Sequence, residues 1–552
     1  MNNTSSFFKK IMNHRNRPIN IFMLSPEDYA GSGCRIRDAV RSVSNKAKID
    51  IHLITWKRRN IGFNDADIVL SDGTQALEKA QHLLNKADIV HFKDDNPPID
   101  GMYGLHLPPK AKIVHTAGGS GFRRRILPPI TEECIARKVE LPLDDIGDSQ
   151  ATWWMVHDDE SLVWASDKRE LELNLMSYIG EKHVNLLSCP VTEIKGPIVI
   201  RGEVVLHQTE DNAGFKICTI IAEHLNDEGT VTGKTIRRFG ALRGKKLPWC
   251  VVFHPKKGQH SMRFSISSMR TDRAQFTLNN FEFLEMHNTW YNNSVSEEIE
   301  QASMGLWPLE TYRDADLRTA LTADLLIEED MVFTPQAIPT SEFHPEIKPK
   351  ERLIVTHAPS NRMKKGTDSI VLPTLKLLSE RFNLDIRLIE GMSHKKCLET
   401  LQESDLYVEL GLGGFYGNAV MEAMAFGIPV AVHIRDKVIK RAGDSFEDCP
   451  IIPVEQRTID AFTKILEPWL ENPKALRLQG LKSRKWVCRI HDEKVVGRKW
   501  IQLYRDLAIP ISSFYRLFCK KLKNPISKEQ EEMRTIYDYR ENPNYLIKSS
   551  IS

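Results

Sequence analysis

The sequence predicts an α/β protein with two Rossmann-like domains and an all-β domain inserted between them. The 552-residue length is enough for about three domains that each bury a core. Apolar strand-like segments alternate with helix-like segments towards both ends of the chain, which is typical of parallel, doubly wound sheets. Between them, short runs with period-two alternation indicate a β-sandwich.

Composition excludes several classes of function. The chain has 76 Lys plus Arg against 73 Asp plus Glu, so a dedicated nucleic-acid binder is not expected. Its nine cysteines are scattered and show no CxxC pair or metal-ligand spacing, which favours a reducing compartment. No cofactor is expected. No apolar run is long enough for a signal peptide or a membrane span, so we expect a cytoplasmic protein.

The first Rossmann-like domain begins with an apolar strand, residues 19–25, which ends before Pro26. The glycine pair Gly31 and Gly33 follows, and then apolar residues recur at helical spacing, which predicts a strand, glycine turn and helix. Further strands are predicted from Ile49, Ala87 and Ala111, with a helical stretch around 76–84.

The inserted module is predicted at residues 194–288, where alternating runs are separated by glycine or polar turns. We interpret it as a module set into a loop of the first domain, which occupies residues 1–193 and 289–348. The second Rossmann-like domain is predicted at residues 349–505, with strands from Leu353, Asp385, Asp405 and Ile428.

The segment GGFYGNAVMEAMAFGIPVAV, residues 413–432, carries the clearest functional motif. Asn418 is expected to cap a short helix, and Gly427 is expected to end it in a left-handed conformation. The start of such a helix can bind an anion, and Glu422 lies where it could accept hydroxyl groups. The alternative for a glycine loop of this kind is an ordinary connection before a core helix.

Two cations, Arg362 and Lys365, follow the strand that starts at Leu353, at the edge where open α/β sheets bind ligands. Facing a helix start, they could hold a diphosphate and stabilise it as it leaves. A solvated charged loop is the alternative, but the co-occurrence with the glycine loop of residues 413–432 favours the diphosphate.

Together, APSNRMKKGTD and GFYGNAVMEAMAFGIPV resemble the donor-binding domain of the GT-B glycosyltransferases of family 4, over residues 350–505. The first domain is similar to the acceptor-side domain of that family. The resemblance implies a GT-B fold with a cleft between the two Rossmann-like domains. It also implies a retaining, nucleotide-sugar-dependent transferase without a metal, and a helical tail at residues 506–552 that crosses back to the first domain.

The resemblance also assigns roles to residues. It places the diphosphate at Arg362 and Lys365 and the ribose hydroxyls at Glu422. The phosphate or sugar would contact the backbone of Gly417, Asn418, Ala419 and Val420. Family members commonly have a second glutamate eight positions before the one matched by Glu422, and this chain has Gly414 there.

On the side of the first domain, His115 lies near the position of the family's cleft histidine. The segment around it continues through Gly118 and Gly119 to the basic cluster Arg123, Arg124 and Arg125. A backbone loop containing Gly119 and an imidazole could contact the donor sugar, although a histidine at a strand end is often a core residue. His91 is a weaker candidate. Gly31 and Gly33 would let the first loop approach the donor phosphates.

The expected partners are a nucleotide sugar and a glycan or lipid-linked glycan acceptor, in surface-polysaccharide synthesis. Aromatic and polar residues of the insert could stack on sugar rings as in a carbohydrate-binding module, or they could fill its core; they are Trp249, Phe253, His254 and Phe276. The insert could alternatively serve homo-oligomer formation. Basic and aromatic residues at 7–10 and 514–523 could rest on the inner face of a membrane.

Two other functions stay open from the sequence. A sugar-nucleotide epimerase can have the same two-domain architecture, but it needs acid and base groups that we cannot assign. A non-catalytic glycan-binding scaffold is suggested by Gly414 and by the insert. Isomerisation of a donor without an acceptor would identify an epimerase, and nucleotide binding without release would identify a scaffold.

Overall fold

The computed structural model describes residues 18–28, 31–44, 48–57, 66–93, 97–118, Phe122, Ile130, 132–139, 161–165, 170–174, 190–192, 195–209, 214–254, 261–268, 274–287, 309–345, 352–362, 365–411, 414–446 and 448–508. They form two compact units. One contains the described parts of 1–94, 108–118 and 315–552, and the other those of 95–107 and 119–314. Strands and helices are numbered along the chain.

The first unit contains a seven-stranded sheet in which every pairing is parallel. Its order is β17-β16-β5-β4-β1-β2-β3, so the direction of winding reverses at β1. Its strands and helices are β1 (Ile19–Leu24), α1 (Ser32–Val43), β2 (Ile49–Thr55), β3 (Ile68–Val69), α2 (Thr74–Asn85), β4 (Ile89–Lys93), β5 (Lys112–Ala117), β16 (Leu317–Ala320) and β17 (Val332–Phe333).

Burial explains why these segments form a parallel sheet. All five residues of β4 and five of the six residues of β1 are buried, as expected for strands covered by helices on both faces. On α1, the buried residues Ile36, Ala39 and Val40 are spaced three and one apart, which places them on one face against the sheet. The first Rossmann-like domain predicted from the sequence is therefore confirmed.

A second parallel sheet in the same unit has the order β19-β18-β20-β21-β22. Its elements are β18 (Leu353–His357), α3 (Leu372–Ser379), β19 (Leu384–Leu388), α4 (His394–Gln402), β20 (Leu406–Glu409), α5 (Asn418–Ala425), β21 (Val430–His433), α6 (Asp436–Ala442), β22 (Ile452–Val454), α7 (Ile459–Glu471) and α8 (Pro473–Ile490). Helix α9 (Glu493–Ala508) follows them along the chain. The winding reverses between β18 and β20, so their carboxyl ends form the switch point where such sheets bind ligands.

The second unit is an antiparallel β-sandwich. One sheet has the order β13-β10-β15-β8-β7 with β6 also paired to β15, and the other has the order β12-β11-β14-β9. The strands are β6 (Ile135–Val139), β7 (Ser161–Ala165), β8 (Glu170–Asn174), β9 (Pro190–Thr192), β10 (Ile198–Thr209), β11 (Phe215–Leu225), β12 (Val231–Leu242), β13 (Leu247–Phe253), β14 (Ser261–Ser268) and β15 (Ala274–Met286).

The inserted sandwich is confirmed, but it is larger than the predicted 194–288. Strands β6 to β9 precede residue 194 and pair with β14, with β15 or with each other. The sequence did not reveal them because they are only three to five residues long. Together with the two parallel sheets, the sandwich gives the α/β, GT-B architecture expected from the sequence.

The return to the first domain begins earlier than the predicted tail at 506–552. Helix α9 packs on α1, and its buried residues Val496, Trp500 and Tyr504 belong to the core of the first sheet. Residues 493–505 are therefore not part of the second domain, because their apolar face is buried against α1 and β1. Residues 509–552 lie outside the described part of the chain.

Gly497 is the contact point of α9 with α1. A Cβ atom at Gly497 would lie 2.7 Å from the carbonyl carbon of Ala39 and 2.9 Å from a Val43 methyl group. Because the obstacle is helix backbone, the two helices would have to separate. We expect Gly497→Ala to lower the free energy of unfolding by about 1–3 kcal/mol, despite the better helix propensity of alanine. Urea unfolding would measure this, with Lys494→Ala on the exposed face of α9 as the control; equal stability of the two variants would contradict the close packing.

The chain crosses from one parallel sheet to the other twice, near Ile338 and near His491. The two crossing segments are hydrogen-bonded to each other. The Ile338 N–H donates to the His491 carbonyl at 2.7 Å, and the Glu493 N–H donates to the Ile338 carbonyl at 2.9 Å. His491 is buried between Gln336 and Tyr416. Its Nδ1 donates to the Gln336 carbonyl at 2.8 Å, so Nε2 accepts from the Tyr416 hydroxyl at 2.8 Å.

This arrangement requires a neutral His491. Burial lowers the pKa of the imidazole to about 4, whereas an unfolded chain has a histidine pKa of about 6.5. The unfolded state therefore takes up the proton first as the pH falls. The contribution of His491 to stability is complete above about pH 6.5 and is lost progressively towards pH 4, by about 3 kcal/mol.

We therefore expect the free energy of unfolding to fall more steeply between pH 6.5 and 4 in the wild type than in His491→Gln. Urea unfolding at several pH values measures the difference. His106→Gln is the matched control, because the His106 side chain is 75% exposed. Parallel pH profiles for the wild type and His491→Gln would contradict this role.

No helix in the described ranges is long and apolar enough to cross a membrane. The two segments predicted to rest on a membrane surface, 7–10 and 514–523, lie outside the described residues. Membrane contact therefore stays a prediction.

Candidate functional site

The switch point of the second sheet holds a partly buried ion pair. Lys365 follows β18 and Glu409 ends β20, and the lysine Nζ lies 2.5 Å from the Glu409 Oε1. Their side chains are 19% and 3% exposed. Gly411 and Gly417 lie beside the pair, because a Cβ on either would come within 3.6 Å of the same carboxylate oxygen. The structure thus brings Lys365 to the glycine loop, as the sequence predicted.

Helix α5 starts beside this ion pair. The expected cap is wrong: Gly417, with extended backbone, is the N-cap residue, and Asn418 is the first helical residue. No side chain caps α5. Ala419 and Val420 follow in the first turn, where the Val420 side chain is buried and only the backbone can contact a ligand. The first turn therefore keeps the donor groups and positive dipole end that suit an anion.

The other end of α5 matches the sequence prediction. Gly427 has φ of +78°, its N–H donates to the Met424 carbonyl at 2.9 Å, and the Ile428 N–H donates to the Ala423 carbonyl at 3.0 Å. These two bonds form a Schellman motif, which ends the helix. The predicted left-handed end at Gly427 is confirmed.

Two further arginines lie at neighbouring strand ends. Arg435 follows β21, and its N–H donates to the Gly414 carbonyl at 3.2 Å. Arg457 follows β22, and its Nε donates to the Leu410 carbonyl at 3.0 Å. Burial lowers the pKa of His433, and the charges of Arg457 and Arg435 lower it further. This imidazole is therefore neutral near pH 7, and the positive charge comes from the arginines.

Arg362 lies at the rim and has partners of its own. It forms an ion pair with Asp368 and another with Glu390, whose Oε2 lies 2.6 Å from the guanidinium. The arginine side chain is 40% exposed. Salt screening makes such exposed pairs weak. Arg362 can therefore exchange these carboxylates for another anion.

Glu422 lies in the second turn of α5 and is buried. Its Oε1 accepts from Arg35 Nη2 at 2.5 Å and from His394 Nε2 at 2.9 Å. Burial raises the pKa of Glu422, but the hydrogen bond from His394 and the charge of Arg35 together lower it below its usual value. Glu422 is therefore an anion at neutral pH. Arg35 belongs to α1, so this contact joins the two Rossmann-like domains.

Gly414 stands where the resemblance expects a glutamate, and the structure excludes a side chain there. Its φ is +63°, and a Cβ would lie 2.5 Å from Arg435 Nε and 2.9 Å from Arg435 Cδ. Only glycine adopts this conformation without strain. A carboxylate at position 414 is incompatible with Arg435 in its observed place.

In the glycine loop of the first domain, a side chain of the loop itself accepts the backbone hydrogen bonds. The Asp28 carboxylate accepts from the N–H groups of Gly33 at 2.5 Å and Cys34 at 3.1 Å. A Cβ on Gly33 would lie 2.6 Å from Asp28 Oδ1, so this glycine is needed for the approach of Asp28. Gly31 is the N-cap residue of α1, with φ of +63°. Binding of donor phosphates at Gly31 and Gly33 stays a prediction.

The two histidines of the first sheet are both buried. His91 Nδ1 lies 2.7 Å from the Tyr504 hydroxyl and Nε2 lies 2.6 Å from Thr116 Oγ1, so it is a core residue that holds α9 to β4. His115 is 1% exposed within β5. This burial favours the core alternative, and its contact with a donor sugar stays a prediction. Gly119 and Arg123 to Arg125 lie outside the described residues.

The sequence leaves open whether the aromatic residues of the sandwich stack on sugar rings or fill its core. Those that the structure describes fill the core. Trp249 stacks on Phe239 with ring centroids 4.2 Å apart, and Phe253 packs edge-on against Phe264. Both belong to the hydrophobic core between the two sheets. Burial lowers the pKa of His254 to about 4. The Phe276 side chain lies outside the described part of the structure.

Sequence reasoning missed five polar residues of this site: Arg35, His394, Glu409, Arg435 and Arg457. Glu409 could have been predicted from the sequence, because a carboxylate that ends a buried strand next to a glycine loop is expected at the ligand-binding edge of the sheet. The two arginines follow strands by two or three residues. Arg35 and His394 could not be found, because only tertiary structure brings them to Glu422. Within the described ranges, no group of three or more potential ligands could hold a metal ion.

No protein-family model matches the chain, and the search of curated proteins found no match. Solved structures with a similar fold include sucrose-phosphate synthase from Thermosynechococcus elongatus. It has 10% identity and a TM-score of 0.39, and the match covers 88% of this chain and 98% of that chain. A glycosyltransferase from Rickettsia africae has 8% identity and a TM-score of 0.40, covering 90% of this chain and all of that chain.

For part of the chain, the xylan-binding domain CBM22-1 of Paenibacillus barcinonensis Xyn10C matches with 11% identity and a TM-score of 0.19. This match covers 24% of the chain and 85% of the domain. Because all of these TM-scores are below 0.5, the fold assignment depends on the chain's own strand order and pairing.

Proposed function

We propose that this protein is a retaining glycosyltransferase that moves a sugar from a nucleotide-sugar donor to a glycan acceptor, in surface-polysaccharide synthesis. The proposal depends on one observation: Lys365 lies near the start of α5, at the switch point of the second sheet. A cation and the backbone N–H groups of a helix start at such an edge suit a diphosphate. The family resemblance supplies the sugar-transfer chemistry.

In this proposal the donor lies along the edge of the second sheet. The diphosphate contacts Lys365 and the first turn of α5, with Arg362 approaching from the rim. Glu422 is charged, and its carboxylate is the group that a ribose hydroxyl would approach. These contacts stabilise the leaving diphosphate while an acceptor hydroxyl attacks on the same face. No metal takes part.

A panel of nucleotide sugars tests the proposal. The protein is incubated with each donor, with and without a mixture of polysaccharide acceptors, and nucleoside diphosphate release and donor identity are followed. We expect acceptor-dependent release from one donor. Isomerisation of a donor without an acceptor would instead identify an epimerase, and binding without release would identify a scaffold.

A further inference from the structure

Glu409 faces the place that the proposed function assigns to the donor diphosphate. Its Oε1 lies 2.5 Å from Lys365 Nζ, and Gly417, the N-cap residue of α5, lies beside the same oxygen. The proposed site therefore contains an anion of the protein itself, in contact with the cation that is proposed to bind the diphosphate.

A second contact, from Tyr407, fixes the Glu409 carboxylate. The Tyr407 hydroxyl donates to Glu409 Oε2 at 3.1 Å, and Tyr407 is completely buried. Both Tyr407 and Glu409 belong to β20, which is a central strand of its sheet. Lys365 lies on a loop and has a flexible four-carbon stem. When a ligand arrives, the ammonium group can move and the carboxylate cannot.

We propose that Glu409 is a positioning residue that sets the affinity of the diphosphate site through Lys365. It holds the ammonium next to α5 when the site is empty, and it stays close as a counter-charge when the diphosphate is bound. A site made only of cations and a helix start would bind the product tightly and release it slowly. The fixed negative charge weakens this binding and speeds product release. The inference rests on the proposed function.

Removing the negative charge of Glu409 is expected to strengthen binding of the diphosphate. In Glu409→Gln, the side chain keeps its size, Lys365 loses its competing partner, and the repulsion between Glu409 and the diphosphate disappears. Both changes strengthen diphosphate binding. Because charges a few ångströms apart in a partly buried site interact strongly, we expect the Kd for the bound nucleoside diphosphate to fall about tenfold.

The experiment measures binding of UDP, GDP and ADP to the full chain by calorimetry, followed by steady-state kinetics with the donor of the nucleotide that binds. In Glu409→Gln we expect tighter nucleoside diphosphate binding and a parallel fall in kcat and in KM for the donor. A residue with only a structural role would raise KM and lower Tm instead. Glu403→Gln is the matched control, because Glu403 pairs with Arg387 at an exposed site.

A second pair of variants covers the case in which Glu409→Gln does not fold. Lys365→Met leaves Glu409 charged and unpaired, whereas Lys365→Met with Glu409→Gln replaces both charges with neutral groups of similar size. We expect the double variant to bind the nucleoside diphosphate about tenfold more tightly than Lys365→Met.

Unchanged or weaker binding in Glu409→Gln, with wild-type Tm, would overturn the inference and leave the proposed function intact. Equal binding by the double variant and Lys365→Met would overturn it as well. If the wild type binds none of the three nucleotides, the proposed function and this inference both fail.

Discussion

Lys365→Ala is expected to lower turnover about a hundredfold, or about 3 kcal/mol of transition-state stabilisation. Lys365 is the cation that lies next to the start of α5, so its ammonium would meet the negative charge that develops on the departing diphosphate. The measurement is the rate of nucleoside diphosphate release at saturating donor and acceptor.

Two controls separate this effect from unfolding. Lys396→Ala removes an exposed lysine of α4 that pairs with Glu399, so we expect wild-type turnover. Because Lys365→Ala also leaves the buried Glu409 without its partner, its stability must be followed by urea unfolding, and rates must be compared at equal folded fraction. Turnover within twofold of the wild type would remove Lys365 from the mechanism.

Gly414→Glu, which introduces the glutamate that the resemblance expects at this position, is expected to inactivate the protein rather than to improve it. The new side chain would occupy the space of Arg435 and would require a non-glycine residue at φ of +63°. Neighbouring residues restrict adjustment, since Phe415 and Tyr416 are stacked and Tyr416 is hydrogen-bonded to His491. We expect a loss of about 2–4 kcal/mol in the free energy of unfolding and of most activity.

Urea unfolding and donor turnover measure both losses. Gly414→Glu combined with Arg435→Ala is the informative companion, because it removes the overlapping side chain and should recover part of the stability. A stable and active Gly414→Glu would show that the loop adapts and that Gly414 does not define the site.

The part of this fold that could be predicted from the sequence is the part set by local pattern. The buried strands β1, β4 and β18 are mostly apolar, and glycines mark the turns at the ligand edge. The Schellman end of α5 could be predicted from Gly427 and the following Pro429. In contrast, the first turn of α5 was misassigned by one residue, because asparagine is a good N-cap residue and extended backbone at Gly417 has no sequence pattern.

The ion pairs of the site could not be predicted from the sequence. Lys365 and Glu409 are 44 positions apart, and Arg35 and Glu422 are 387 positions apart, so their pairing depends on the tertiary fold. The sequence predicts that the cations and Glu422 bind a ligand, whereas the structure shows Lys365, Arg362 and Glu422 in ion pairs with other residues of the chain. Asp28 on the amides of Gly33 and Cys34 is a further example, because nothing in the spacing of the first loop indicates that the acceptor comes from the loop itself.

The most direct test of the central claim compares a nucleoside diphosphate with its parent nucleoside, for the base that the wild type accepts. Calorimetry should show that the diphosphate binds more tightly than the nucleoside by at least tenfold, and that Lys365→Ala removes most of this difference while leaving nucleoside binding unchanged. Equal affinities for the diphosphate and the nucleoside, or a difference that persists in Lys365→Ala, would contradict the assignment of a diphosphate to Lys365 and the start of α5.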